Sequence, residues 1–436
     1  MTEYSKITSN LETQLINKAN QFLPDGTNGN IKVGDHQTFL VQKGLGSKIW
    51  DVSGNEYIDW LMGSGPMILG HAFPSVIEAV IKAVESGSTF FATHEKAVEL
   101  AELLCEAIPC AEQVRFTVSG TDATFQAMRV CRAFTKKEKI LKFEGGYHGS
   151  SDYAMMSVTP TASLEYPQTQ ANSSGIPKAI SDLVLAAPFN DLQTTSQIIE
   201  AHKDDIAAVI VEPLQRVIAP QPGFLQGLRD ITKKNGIPLI FDEVVTGFRL
   251  SYGGAQQYYG VTPDLACVGK IMGGGYPLAA VTGITDIMSS YEVATDSDGF
   301  VPQTGTLNGN PIACAAGIAT LKELQNINNY EKINDTGKQI REFIEATSSR
   351  FNIPIQVCGE NQIFGLFFTD REIHNYRDGL ATDSGLHARF NSGLLDRGIL
   401  KAWPQKFYPS AAHSQEDIER TKVAIEQTLS QLSESM

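Results

Sequence analysis

Three short stretches bring together residue types that can do chemistry. In SGTDA, Ser119 to Ala123, hydroxyls and a glycine stand where the apolar run VRFTV gives way to a helical pattern. A glycine lets the backbone approach a ligand closely, and a helix amino terminus offers N–H groups and positive dipole to an anion such as phosphate; Ser and Thr there also serve as plain caps. In PLIFDEVVTGFR, Asp242 ends an apolar run. A carboxylate at the carboxyl end of a strand either faces a ligand site or is a capping or salt-bridged acid, and buried it needs a cationic partner. In PDLACVGKIMGGGYP, Lys270 leaves another apolar run just ahead of Gly273, Gly274 and Gly275. Such a lysine has clearance for a group bonded to its amine, although snorkelling or phosphate binding would use the same residue.

Positioning these residues takes a sheet. From Val114 onward, short apolar runs alternate with helical patterns: VRFTV then Thr121 to Phe134, KILKF, LVLAA, AAVIV then Phe224 to Lys234, PLIF, DLACV and AAVTG. Runs of four or five bulky residues without polar alternation fit strands buried on both faces, so the fold class is α/β with a mostly parallel, doubly wound sheet. Asn310-Pro311 starts the helix that closes this region, Asn as cap and Pro at the first helical position. Beyond about residue 326 a charged helix, the strand IFGLFF and an amphipathic helix from Gln415 to Leu432 predict a smaller α+β domain. The organisation expected is an N-terminal segment 1–72, a large ligand-binding domain 73–325 and a small C-terminal domain 326–436. Residues 1 to 30 are polar and end in PDGTNGN, a cluster that reads as loop, with order expected to begin after it. The stretch between Thr159 and Gly175 reads as a long insertion, either a lid or an exposed surface loop.

Bulk properties narrow the partners. The 436 residues are 42% apolar and 19% charged, and 35 Lys+Arg against 49 Asp+Glu leave a net charge of −14. That balance disfavours general attraction to nucleic acid or anionic lipid and favours small-molecule partners. Six cysteines without CxxC or zinc-ligand spacing read as reduced thiols, and no signal peptide or membrane span is visible, so the cytoplasm is the expected compartment. The glycines do not form GxGxxG after a strand, which argues against a nicotinamide fold.

Taken together, a phosphate cup, a carboxylate on the sheet and a Schiff-base lysine are what pyridoxal 5'-phosphate requires, because an acid on the pyridine nitrogen keeps the ring protonated and electron-withdrawing. The sequence then resembles the class III pyridoxal-phosphate aminotransferases, in particular the glutamate-1-semialdehyde aminomutase branch. The resemblance rests on GLGSKIWDVSGNEYIDW, GPMILGH, SGTDA, KFEGGYHG, FDEVVTGFR, VGKIMGGGYP, GTLNGNP and AAHSQEDIE, which span most of the chain. It implies a fold-type I transferase in which Lys270 bonds the cofactor and Asp242 meets the pyridine nitrogen. Val244 and Tyr147 would pack on opposite ring faces, and Ser119, Gly120 and Thr121 would hold the phosphate. His148 and Glu212 also fall on cofactor motifs. Thr306 corresponds to a residue reaching the phosphate from a neighbouring subunit, which implies a homodimer.

Several positions depart from the aminomutase pattern. Lys32 stands where that branch has an arginine near the substrate carboxylate, Ser64 where it has a tryptophan, and Gln405 where an acid is expected. The 159–175 segment replaces its Gly/Ser-rich lid. These departures predict a pocket wider than the aminomutase's and transfer from an amine or amino acid to a separate carbonyl acceptor. Intramolecular transfer giving 5-aminolevulinate is the alternative. A non-catalytic regulator fits less well, since Lys270 and Asp242 are both present and no basic helix-turn-helix is attached.

Overall fold

The computed structural model describes residues 6–29, 39–293, 299–401 and 406–435. They form two compact units, one of Ser75–Asn326 with His374–Asp378, the other of Met1–Pro74, Ile327–Ile373 and Gly379–Met436.

The first unit is built on a seven-stranded sheet. Across it the strands run Gln113–Thr117, Ala279–Gly283, Leu265–Val268, Leu239–Glu243, Ile206–Val211, Lys139–Phe143 and Val184–Ala187. All neighbours are parallel except Ala279–Gly283, which is antiparallel to both strands beside it. The exception follows from chain length, because the link from Val268 to Ala279 is shorter than the dozen or so residues a parallel crossover needs. Every residue of Ile206–Val211 and Leu239–Glu243 is buried, as expected of strands covered on both faces. The helix Gly120–Thr135 lays Ala123, Ala127, Val130 and Cys131 on Ile140, Ala208, Ile240 and Cys267 of the sheet. At the end of the unit, Asn310 caps the helix Pro311–Leu324 by accepting from the Ala313 N–H at 2.9 Å.

The 159–175 insertion is fastened down along its length. Asn172 Oδ1 accepts the N–H groups of Val158 (2.7 Å) and Thr159 (3.1 Å), and Ala186 N–H donates to the Pro167 carbonyl at 3.0 Å. The Tyr166 hydroxyl donates to Glu144 Oε2 at 2.6 Å. Arg377 makes a bidentate pair with the same buried carboxylate (Nε to Oε2 2.7 Å, Nη2 to Oε1 3.0 Å) and also donates to the Leu164 carbonyl at 2.7 Å.

The second unit contains a four-stranded sheet of Val41–Leu45, Lys48–Asp51, Glu56–Asp59 and Ile399–Leu400 and a three-stranded sheet of Gln356–Glu360, Ile363–Phe367 and Lys406–Phe407. Its core gathers Ile58, Trp60, Ile340, Phe364, Phe390, Phe407, Ile425 and Leu429. One expectation is corrected here: order begins well before residue 30, since Asn10–Phe22 is a helix. Its sequence is polar because it is held by tethers more than by an apolar face. Ser9 caps it through the Glu12 N–H, Ser53 Oγ donates to Glu12 Oε2 at 2.5 Å, and Ile7 exchanges two hydrogen bonds with the Asn55 side chain.

Candidate active site

Four adjacent parallel strands end on one edge of the large sheet, and each end delivers an expected site residue. Lys139–Phe143 leads into Tyr147 and His148, Ile206–Val211 into Glu212, Leu239–Glu243 carries Asp242, and Leu265–Val268 leads into Lys270. Strand register sets Asp242 opposite Cys267, three residues before Lys270. In open α/β sheets this carboxyl edge is where ligands bind.

Asp242 is buried, and its Oδ2 lies 2.7 Å from His148 Nδ1, itself buried. The other oxygen, Oδ1, accepts the Val244 N–H at 3.1 Å, which fixes the plane of the carboxylate. A ring nitrogen beside a carboxylate carries the proton, so His148 donates from Nδ1. His148 Nε2 is buried and has no hydrogen-bond partner among the described residues. The neighbouring acid, Glu243, is spent on structure: it accepts from the Ala255 N–H (2.6 Å), the Gln256 N–H (3.3 Å) and Thr246 (2.9 Å), and burial raises its pKa.

Lys270 begins a single 3-10 turn, Lys270–Gly273, with φ +50°, a left-handed conformation that strains a side chain bearing a Cβ. It is half-buried. Gly120 opens the long helix so close to Val244 that a Cβ there would lie 2.7 Å from Val244 Cγ1, so only glycine fits. Ser119 caps that helix, its hydroxyl accepting the Asp122 N–H at 3.2 Å, which is the plain-cap role. Thr121 Oγ1 accepts the Ser150 N–H at 3.3 Å, and Thr124 donates to the His148 carbonyl at 2.5 Å, seating the 146–150 loop on the helix start.

Glu212 takes the Tyr147 N–H on Oε1 at 2.6 Å and the Arg216 N–H on Oε2 at 3.0 Å. Tyr147 as a residue is 45% exposed, and the Arg216 guanidinium carbon stands 5.1 Å from its ring centroid. Thr306 lies exposed in the turn ahead of the helix Pro311–Leu324. Ser64 belongs to the other unit and is exposed there, in a turn whose residues Met62, Gly63, Ser64 and Gly65 all have positive φ. Lys32 and Gln405 fall outside the described residues.

Four contributors were not singled out from the sequence. Lys142 is buried in the strand below the site, and its Nζ donates to the carbonyls of Gly146 (3.0 Å), Ala154 (2.8 Å) and Met156 (2.5 Å), bracing the loop that carries Tyr147 and His148. Burial, and then the charge of Arg216, lower its pKa to about 7 against the pull of Glu212 and Asp242. A lone lysine inside the apolar run KILKF was the available signal. Glu144 and Arg377 lie 233 residues apart and Arg216 sits in an irregular turn, so no periodicity marks them.

These donors suit pyridoxal phosphate. The helix start at Ser119, with its glycine-tight contact to Val244, can seat an anion; a buried, histidine-paired carboxylate suits a protonated pyridine nitrogen; and a lysine on the same sheet edge suits a carbonyl carbon. Comparison with known proteins agrees. The family "Aminotransferase class-III" matches residues 31–429. Glutamate-1-semialdehyde 2,1-aminomutase 2 of Brevibacillus brevis is 41% identical over 420 residues, covering 94% of this chain and 96% of its own, and the aminomutase of Methanothermobacter thermautotrophicus is 42% identical over 425 residues, covering 96% and 99%. Among solved structures, an omega-transaminase from Sphaerobacter thermophilus superposes with a TM-score of 0.92 at 34% identity, covering 96% of this chain and 97% of its own. A glutamate-1-semialdehyde aminomutase from Pseudomonas aeruginosa PAO1 does so at 0.85 and 25%, covering 96% and 94%. The fold is that of the fold-type I transaminases, and the chain belongs to the class III aminotransferase family.

Proposed function

We propose that this chain moves amino groups on pyridoxal 5'-phosphate held at the carboxyl edge of the sheet. The observation that carries the reading is the buried Asp242–His148 pair, with strand register setting Asp242 opposite Cys267, three residues before Lys270. Ser119, Gly120 and Thr121 hold the phosphate, and Val244 and Tyr147 flank the ring. Asp242 meets the pyridine nitrogen, its carboxylate held by the His148 N–H and the Val244 N–H. Glu212 fixes the Tyr147 backbone. When bound, the cofactor supplies an electron sink for the bond broken at the substrate's amine-bearing carbon. Lys270 would anchor the cofactor through its amine, and that amine would carry the proton removed from the substrate's amine-bearing carbon.

The working form is a homodimer. Ile77, Ile81 and Val84 follow i, i+4, i+7 spacing on the helix Pro74–Glu85 and are exposed, as are Phe90, Phe91 (74%) and Val98. A stripe of this size calls for cover, and a second copy of the chain would also bring Thr306 to its partner's phosphate. All six cysteines are free thiols, which suits a reducing compartment such as the cytoplasm. No helix among the described residues is long and apolar enough to cross a membrane.

Two ways of completing the cycle remain, and the curated relatives favour the intramolecular one. Proteins 39–42% identical over nearly the whole chain are named glutamate-1-semialdehyde 2,1-aminomutase, so conversion to 5-aminolevulinate is the first reading. Transfer to a separate acceptor is the second, supported by the departures from the aminomutase pattern at Lys32, Ser64 and Gln405 and by the likeness to an omega-transaminase. The holoenzyme given glutamate-1-semialdehyde alone separates them. Sustained 5-aminolevulinate formation without added donor or acceptor supports the first, and a dependence on a second amine and carbonyl supports the second.

A further inference from the structure

Arg216 adopts φ +60°, a left-handed conformation that glycine takes freely and arginine does not. Backbone strain of this kind clusters at functional sites. The guanidinium is braced at its root, Nε donating to the Gly145 carbonyl at 3.0 Å, and its carbon stands 5.1 Å from the centroid of the Tyr147 ring. Glu212 Oε1 is 3.9 Å from Nε, beyond hydrogen-bond reach, and accepts the Tyr147 N–H instead. Nη1 and Nη2 have no hydrogen-bond partner among the described residues, and the side chain is 33% exposed. A planar two-pronged donor is therefore fixed beside the aromatic ring of the site with its four terminal N–H groups unused, the geometry that matches a carboxylate.

We propose that Arg216 binds the substrate's carboxylate, which makes the substrate an amino acid and not a simple amine. The inference rests on the reading of this sheet edge as an amino-transfer site.

The test is calorimetric titration of the holoenzyme with the monocarboxylates from propanoate to hexanoate and with the matching neutral amides. Arg216→Gly is the main variant, because glycine suits the left-handed backbone and should leave thermal stability and cofactor uptake intact; Arg216→Lys is the second. The expected result is at least one carboxylate bound ten-fold or more tighter than its amide by the wild type, that preference lost in Arg216→Gly and partly kept in Arg216→Lys, with amide affinity unchanged. An equal carboxylate preference in wild type and Arg216→Gly, or none in the wild type, overturns the assignment. The titration needs no turnover. A carboxylate preference that depends on Arg216 in a protein unable to move amino groups would leave this assignment standing and remove the amino-transfer reading.

Discussion

His148 Nδ1 and Asp242 Oδ2 stand 2.7 Å apart in the interior of the site, both side chains out of reach of bulk water. A buried carboxylate is costly unless its oxygens are paired, and here Oδ2 is met by His148 Nδ1 and Oδ1 by the Val244 N–H. Asp242→Asn should therefore keep cofactor binding while slowing proton abstraction by a factor of about 10² or more, with His148→Gln intermediate because one hydrogen bond is lost and the charge remains. Rapid-mixing absorbance of a single turnover reads this directly. Near-wild-type rates in Asp242→Asn would mean that the carboxylate does not tune the ring.

Glu144 and Arg377 supply a second, structural test. The carboxylate is buried and takes both prongs of the arginine as well as the Tyr166 hydroxyl, so removing the cation strands a charge, whereas neutralising the acid does not. Arg377→Met should cost about 3 kcal/mol in urea unfolding, and Glu144→Gln distinctly less. Equal losses in the two variants would show that the pair's charge is immaterial.

The pH dependence of stability should carry a signature of His413. The ring is fully buried, stacked on Trp60 at 4.1 Å, and its Nδ1 accepts the Ser410 N–H at 3.0 Å; burial lowers its pKa from 6.5 to about 4. Between those values the unfolded chain binds a proton that the folded one does not, so stability is present above pH 6.5 and is lost as pH falls toward 4. Going from pH 7 to 5, the wild type should lose about 2 kcal/mol more than His413→Gln. Parallel unfolding curves for the two proteins over that range would remove the assignment.

The sheet was legible because its strands are local and fully apolar: KILKF and AAVTG coincide with strands Lys139–Phe143 and Ala279–Gly283, and the helix Phe224–Lys234 was read to the residue. The antiparallel direction of Ala279–Gly283 was legible only in the shortness of its connection, which the apolar pattern does not encode. The helix Asn10–Phe22 escaped because tethers to Ser53 and Asn55, more than 40 residues away, hold a polar segment in place. Within the site, Lys270, Asp242 and Gly120 stood out through the company they keep in sequence. Arg216 and Arg377 did not, since their meaning lies in a left-handed turn and in a carboxylate brought near by folding. The anticipated wider pocket leaned on Lys32, Ser64 and Gln405, two of which lie outside the described residues.

Whether Lys270 bonds the cofactor is read by borohydride reduction of the holoenzyme followed by peptide mass spectrometry. One phosphopyridoxyl adduct is expected, on Lys270 in the peptide carrying VGKIMGGG, and none in Lys270→Ala. An adduct on another lysine, Lys142 included, or a trappable bond surviving in Lys270→Ala, would contradict it.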